Sequence, residues 1–583
     1  MARPKWRVPD VRLAMVGAVF VVAWVGVGFR LVDVQGFHSE DYAARGFDQR
    51  VKHEELPAAR GTIFDRDGAE LAVTVDAVTI SADPALVVEP AVVARLLAPK
   101  VGTDEEVLEA RLSSDSRFAY VARRLDRDTA DEVEQLLADL DLDGFYFDTE
   151  PRRVYPAGPL AAQVLGFVRD DDGVGLEGIE YQYNDILLGT AGSQIVERDP
   201  GGRPIPQGQY LVQPPEHGVS LVTTLDREIQ YAAEQALLGA IESTEAVGAT
   251  AIVLEVKTGE ILAMATVPTY DLNDRTGIDG ALFRNRAVSD MYEPGSTAKV
   301  VTIAAALEEG VVETSTMLTV PAEYEIELEP EPKIYTDVGR RYEEEMTVAE
   351  IVSRSSNIGT ILIQDMIGND IHHRYLAAFG LGQLSSGSFP GEATGTLRPA
   401  ADWCDTTCGP NTAIGYRVDV TPLQMASVFA TIANNGVWVE PHIVHEVINP
   451  DLTREPYEAV KRPVLSEHTA RIMQRLLQGV VESSRGTGRR AAVEGYTVGG
   501  KTGTTEKYLQ ELQGYSEDDR IASFIGLAPV TDPQIVVAVV LDSPNGLNED
   551  GDELHFGGVS AAPVFAEIAE AALHQLGVAP DAR

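Results

Sequence analysis

Ser296 and Lys299 stand three residues apart in EPGSTAK (293–299). Pro294-Gly295 punctuates the chain there, and Ser296 starts a helical pattern. One turn of helix brings a lysine amine within reach of a serine hydroxyl. That pairing has a chemical use. A serine hydroxyl is a poor nucleophile at neutral pH and needs an adjacent base. A lysine can be that base only when neutral, and burial or a second nearby cation lowers its pKa. Of the nine lysines in the chain, only Lys299 has a serine three residues before it.

Two further motifs belong to the same chemistry. Ser355-Ser356-Asn357 lies in SRSSNIG, after one helical pattern and before the apolar run ILIQDMI. It is expected in a helix–helix turn, where short polar side chains can face a cleft. Taken alone it reads as ordinary turn residues. Lys-Thr-Gly occurs twice. Lys257-Thr258-Gly259 falls between two strand patterns and reads as a solvated hairpin turn. Lys501-Thr502-Gly503-Thr504 follows Gly499-Gly500 in YTVGGKTGTTE. Small residues let another backbone approach, and an edge strand there would accept an extended peptide as an added strand.

The elements that must position these residues are legible from residue 219 onward. SLVTTLD reads as a strand, REIQYAAEQALLGAI as a helix, and ATAIVLEV with EILAMAT as a hairpin. Ser296–Glu309 reads as a buried helix stopped by Gly310. Thr347 and Glu350 form a capping box. RIASFIGLAPV and QIVVAVVLDSP, separated by T-D-P, read as neighbouring antiparallel strands, and 562–576 as a final amphipathic helix. Helices around a mainly antiparallel sheet make this half α+β. Residues 38–215 are mixed, with short strands near 61–64 and 71–75 and a helix over 129–140, and carry no catalytic cluster.

Composition and the N-terminus bound the setting. The chain has 583 residues, 44% apolar, with Lys+Arg 47 against Asp+Glu 90 and a net charge of −43. Such an acidic chain argues against nucleic acid as a partner. Leu13–Phe29 is 17 residues without a charge, preceded by Arg3, Lys5, Arg7 and Arg12. As a helix it rises about 25 Å, and Leu31, Val32 and Val34 extend it towards a ~30 Å hydrocarbon core. The basic flank predicts a retained single-pass anchor with the N-terminus cytoplasmic and the bulk outside. A cleaved signal peptide is the competing reading. Cys404 and Cys408 are expected to close a small disulfide in an oxidising compartment, with two unpaired thiols as the alternative. His372-His373 is expected at a helix start as a solvated pair. No metal, nucleotide or other cofactor is expected.

S-x-x-K, S-x-N and K-T-G in this order, spaced 59 and then 146 residues apart, resemble the penicillin-recognising serine acyltransferases. The same set with S-D-N in second place marks class A β-lactamases and penicillin-binding proteins. Ser-Ser-Asn departs from that and points away from the β-lactamase class. RGTIFDRDG (60–68), YPAGPLAAQVLGFV (155–168) and GLEGIEYQYNDILLGTAG (175–192) are similar to boxes of the non-catalytic half of class B penicillin-binding proteins. TGEILAMATVPTYDLN, VTPLQMA and HFGGVSAAPVF match the transpeptidase half. AIGYRVDVTPLQ (413–424) departs from the family, which more often has a Gly-Gln-Gly run there.

The resemblance implies a cytoplasmic tail (1–12), a transmembrane anchor (13–34), an elongated mixed α/β pedestal or dimerisation-like domain (38–215) and a β-lactamase-like penicillin-binding transpeptidase domain (219–577). It implies a peptidoglycan D,D-transpeptidase of the division (FtsI-like) type that cross-links donor and acceptor stem peptides through a serine acyl-enzyme and is a target of β-lactams. An elongation-type transpeptidase, a D,D-carboxypeptidase and a β-lactam sensor are the alternatives. Ser296 is then the nucleophile and Lys299 its base. Ser355 and Lys501 relay a proton and hold Lys299 neutral by like charge. Asn357 holds the donor amide. Thr502, Gly503 and Thr504 line the carboxylate site, with the Ser296 and Thr504 N–H groups as oxyanion hole. A SEDS-family glycan polymerase and division membrane proteins are the implied partners.

Overall fold

The computed structural model describes residues 11–42, 45, 51–198, 204–387, 389–509 and 514–582. Three of the four basic residues flanking the apolar run, Arg3, Lys5 and Arg7, lie outside them. Helix α1 (Val11–Val32) buries none of its residues and continues as one π-turn through Phe37. Its length and apolar composition are enough to cross a membrane. Two compact units follow from the packing. The first comprises residues 1–58 and 189–217 and carries a three-stranded antiparallel sheet, Val51–Leu56, Gly192–Arg198 and Pro204–Gln213.

The second unit comprises residues 59–188 and 218–583. Its central sheet contains β1 (Gly248–Glu255), β2 (Ile261–Val267), β3 (Gly499–Leu509), β4 (Gly514–Ala528) and β5 (Ile535–Asp542). Their order is β2-β1-β5-β4-β3, every neighbour antiparallel. Strands β1, β2 and β5 are almost wholly apolar because both faces are covered. Ile252, Leu254 and Met264 enter one core, while Ala251, Val253 and Leu262 enter the other. Helix α2 (Arg227–Thr244) and the last helix, Ala561–Gln575, close one side. The opposite core holds α3 (Lys299–Glu308), α4 (Val348–Ser353), α5 (Asn357–Ala378) and Pro422–Ala433. The expected α+β class with an antiparallel sheet flanked by helices is what is found.

The seam expected between residues 215 and 219 runs through a continuous sheet. Strand Ile63–Phe64 pairs in parallel with Ser220–Thr223, placing Ile63 against Leu221. On one side the sheet continues to Val444–Ile448, on the other to Glu70–Ala82. Arg66 in the N-terminal half reaches Glu260 across the same line, and within that half itself one buried carboxylate holds two arginines. Glu180, 0% exposed, accepts Arg60 Nε at 2.6 Å and Arg153 Nε at 2.7 Å. His445 also reaches Glu260. Residues 59–188 therefore pack with the sheet-bearing half as one body.

Candidate active site

The turn that carries Ser296 is built before the helix proper. Gly295–Thr297 forms a single 3₁₀ turn, and α3 begins at Lys299. Gly295 has φ +53°, and a Cβ there would lie 2.3 Å from Thr505 Cγ2, so only glycine fits. Its N–H donates to Gly415 O at 3.1 Å. The Thr297 hydroxyl donates to Pro294 O at 2.7 Å. Ser296 is half-buried at the top of this turn.

Helix α3 is buried nearly all round, which takes Lys299 to 3% exposure. Its Nζ donates to Ser355 O at 2.7 Å, Asn357 Oδ1 at 2.6 Å and Ser355 Oγ at 3.3 Å. The amine thus faces the S-x-N loop across the site. A direct bond to the Ser296 hydroxyl, expected from the spacing, is not among the contacts of the described residues, because three oxygens on the loop hold the amine. Lys501, 1% exposed, reaches the same hydroxyl from β3: its Nζ donates to Ser355 Oγ at 2.8 Å and Thr502 O at 3.1 Å. One serine oxygen stands between two buried amines.

Burial lowers the Lys299 amine to about 7, opposed by the charge of Asp337. Burial also lowers Lys501, with the nearby Lys299 charge acting in the same direction. The depression of Lys299 comes from burial, and the like-charge effect falls on Lys501. Near neutrality the pair can accept and return protons through Ser355.

The loop between α4 and α5 is set by helix ends. Thr347 and Glu350 make the expected capping box at the start of α4. At its end Ser355 N–H bonds Val352 O and Ser356 N–H bonds Ile351 O, a Schellman motif. Ser355 occupies the left-handed position, φ +57°, usually taken by glycine, at a cost of about 1–3 kcal/mol. That conformation accompanies a carbonyl and a hydroxyl both aimed at the lysines. Ser356 caps α5: its Oγ accepts Gly359 N–H at 2.9 Å and donates to Asp337 Oδ2 at 2.6 Å. This double use accounts for a serine in the middle of the motif.

Strand β3 is the edge of the central sheet. Gly503 lets it lie against the serine turn, since a Cβ there would meet Thr297 Cγ2 at 3.0 Å and Pro294 O at 3.2 Å. Thr502 donates to Thr487 Oγ1 at 3.0 Å, and Thr504 Oγ1 accepts Gly557 N–H at 3.1 Å. The structure therefore brings Ser296, Lys299, Ser355, Asn357, Lys501, Thr502, Gly503 and Thr504 to one cleft. Lys257 sits apart in the exposed β1–β2 turn. Sequence reasoning missed Thr487 and Asp337, which lie in segments without periodicity or a spacing rule. In the unusual 413–424 stretch, Arg417 N–H donates to Glu293 Oε1 at 2.7 Å and Tyr515 OH to Glu293 Oε2 at 2.9 Å, beside the serine turn.

Two expectations outside the cleft can be compared. Cys404 and Cys408 form the disulfide. The histidine pair is corrected: Gly368 breaks α5, so His372-His373 does follow a helix start, but His372 is 0% exposed. Its Nε2 lies 3.0 Å from Thr302 Oγ1, and burial lowers it to about 3, so it stays neutral.

Residues 249–570 match the penicillin binding protein transpeptidase domain, and residues 55–223 the penicillin-binding protein dimerisation domain. Similar proteins include the probable peptidoglycan D,D-transpeptidase PenA of Neisseria meningitidis, 33% identical over 98% of this chain and 93% of its own length. The peptidoglycan D,D-transpeptidase FtsI of Escherichia coli is 30% identical over 93% and 88%. Among solved structures, penicillin binding protein 3 of Mycobacterium tuberculosis complexed with aztreonam is 28% identical, covers 91% of this chain and 98% of that chain, and superposes with a TM-score of 0.71.

Proposed function

Because the chain belongs to the class B penicillin-binding proteins, we propose that it is a membrane-anchored peptidoglycan D,D-transpeptidase acting through an acyl-enzyme on Ser296, in septal wall synthesis. The observation that carries the residue assignment is the Ser355 hydroxyl held between the buried Lys299 and Lys501 amines next to the Ser296 turn.

Ser296 Oγ attacks the carbonyl carbon of the penultimate D-Ala of a donor stem, and its proton passes to neutral Lys299. The oxyanion is held by the Ser296 and Thr504 N–H groups, each worth about 3–4 kcal/mol. The carbon–nitrogen bond breaks, and the leaving D-Ala amine takes a proton through Ser355 and Lys501. The amine of a second stem then attacks the acyl-enzyme, forms the cross-link and returns the proton to Ser296. Asn357 holds the donor amide, and Thr502 and Thr504 beside Lys501 hold the terminal carboxylate. A β-lactam acylates Ser296 because its ring amide resembles the D-Ala–D-Ala amide.

Helix α1 is the anchor, with the N-terminus cytoplasmic and the cleft outside. The Cys404–Cys408 disulfide supports an oxidising compartment. A SEDS-family glycan polymerase and division membrane proteins are the partners this reading implies, engaging α1 and the N-terminal half. Depletion of the protein, followed by mass spectrometry of muropeptides and microscopy, tests the reading. Loss of cross-links with filamentous cells is expected. Loss of trimmed stems alone would assign a carboxypeptidase, and rounded cells would move the protein to side-wall growth.

A further inference from the structure

The segment between α3 and α4 reaches into the site through one carboxylate. Strand Lys333–Thr336 ends beside the S-x-N loop, where Thr336 O accepts Asn357 Nδ2 at 2.9 Å. The next residue is Asp337, which is buried. Its Oδ2 accepts the Ser356 hydroxyl at 2.6 Å and its Oδ1 accepts the Ile358 N–H at 3.0 Å. The two residues flanking Asn357 are thus gripped by the two oxygens of one side chain.

Asp337 is itself anchored. Arg340, 3% exposed, donates to Asp337 Oδ2 from Nε at 3.2 Å and from Nη2 at 2.9 Å. The same guanidinium donates to Val320 O at 2.9 Å and Pro321 O at 2.7 Å, which ties the carboxylate to the strand after α3. A helix cap alone would need one acceptor for one N–H. Here a charged group is buried near Lys299, with its own arginine.

We propose that Asp337 is a positioning residue of the acylation step: it fixes the Ser355–Asn357 loop against Lys299 and supplies the negative charge against which that amine gives up its proton. This rests on the reading of Lys299 as the base. The charged groups that act on it are Lys299 on α3 and Arg340 on its own segment, with Arg341 donating to its backbone carbonyl; Lys501 faces Lys299 across the Ser355 hydroxyl. Burial disfavours the Asp337 anion, but the bonds from Ser356, Ile358 and Arg340 outweigh it and hold the carboxyl below its usual range. An anion there favours protonated Lys299 and opposes the effect of burial. The sign follows. Without the charge, Lys299 becomes neutral at lower pH, so the acid limb of the acylation profile moves down. Without the bonds, the loop loosens and the plateau falls.

The test measures the rate of covalent labelling by a fluorescent penicillin across neutrality, with full-length protein in detergent micelles. Asp337→Asn is expected to move the acid limb down by about one pH unit and to lower the plateau about tenfold or more. Ser356→Ala removes one bond and no charge; it is expected to lower the plateau with the limb in place. A wild-type limb in Asp337→Asn overturns the counter-charge. Should that variant not fold, as read by its thermal transition, Ser356→Ala still decides the positioning: an unchanged plateau overturns it. Failure of wild type to label would overturn the acyl-enzyme reading itself and this inference with it, whereas a labelling wild type with an unmoved Asp337→Asn limb overturns the inference alone.

Discussion

Two buried amines meet one hydroxyl in the cleft, and burial decides their state. Removing an ammonium from water costs several kcal/mol even after relaxation. Three oxygens around Lys299 Nζ offset part of that, and the remainder lowers the amine to about 7. The base-competent form therefore grows as pH rises through about 7, and acylation should fall below it. Lys501 on the same hydroxyl cannot also hold a proton cheaply. Lys299→Ala should give a protein with a cooperative thermal transition and labelling by a fluorescent penicillin reduced at least a hundredfold, in line with the loss of a general base. Undiminished labelling would remove Lys299 from that role.

The S-x-x-K and S-x-N motifs sit at helix ends and K-T-G follows the first two residues of β3, and that is why spacing made the cleft legible. The capping box at Thr347 was readable because its partners are three residues apart. The S-x-N turn was readable because two apolar helical patterns flank it, and the K-T-G strand because glycines precede it. What the sequence hid lies in long-range pairing. Asp337 is 19 residues before Ser356 in a segment of short hairpins, and no periodicity points it at the loop. Thr487 meets Thr502 through a turn with no pattern of its own. His372 looked solvated as one of a histidine pair at a helix start, yet α5 turns that ring inward against Thr302. Local rules predict ends of elements; they do not predict which buried polar group will find which partner.

At the scale of the whole molecule, composition and motif order pointed to an anchored chain with two halves, but not to how the halves join. A parallel pair such as Ile63 with Leu221 leaves no local signature, so residues 38–215 looked like a separate pedestal. The buried Glu180 between Arg60 and Arg153 probes the packing inside residues 59–188. Glu180→Ala leaves two buried guanidiniums without their anion and should cost about 3–5 kcal/mol, read as a lower unfolding midpoint in denaturant; an unchanged midpoint would contradict the buried pairing. The claim on which the chemistry depends is the covalent bond to one serine. Peptide mapping by mass spectrometry of the full-length protein after reaction with a β-lactam measures it directly. The added mass is expected on the peptide containing Ser296 and absent from Ser296→Ala, whereas an adduct on any other residue, or one that persists in the variant, would contradict it.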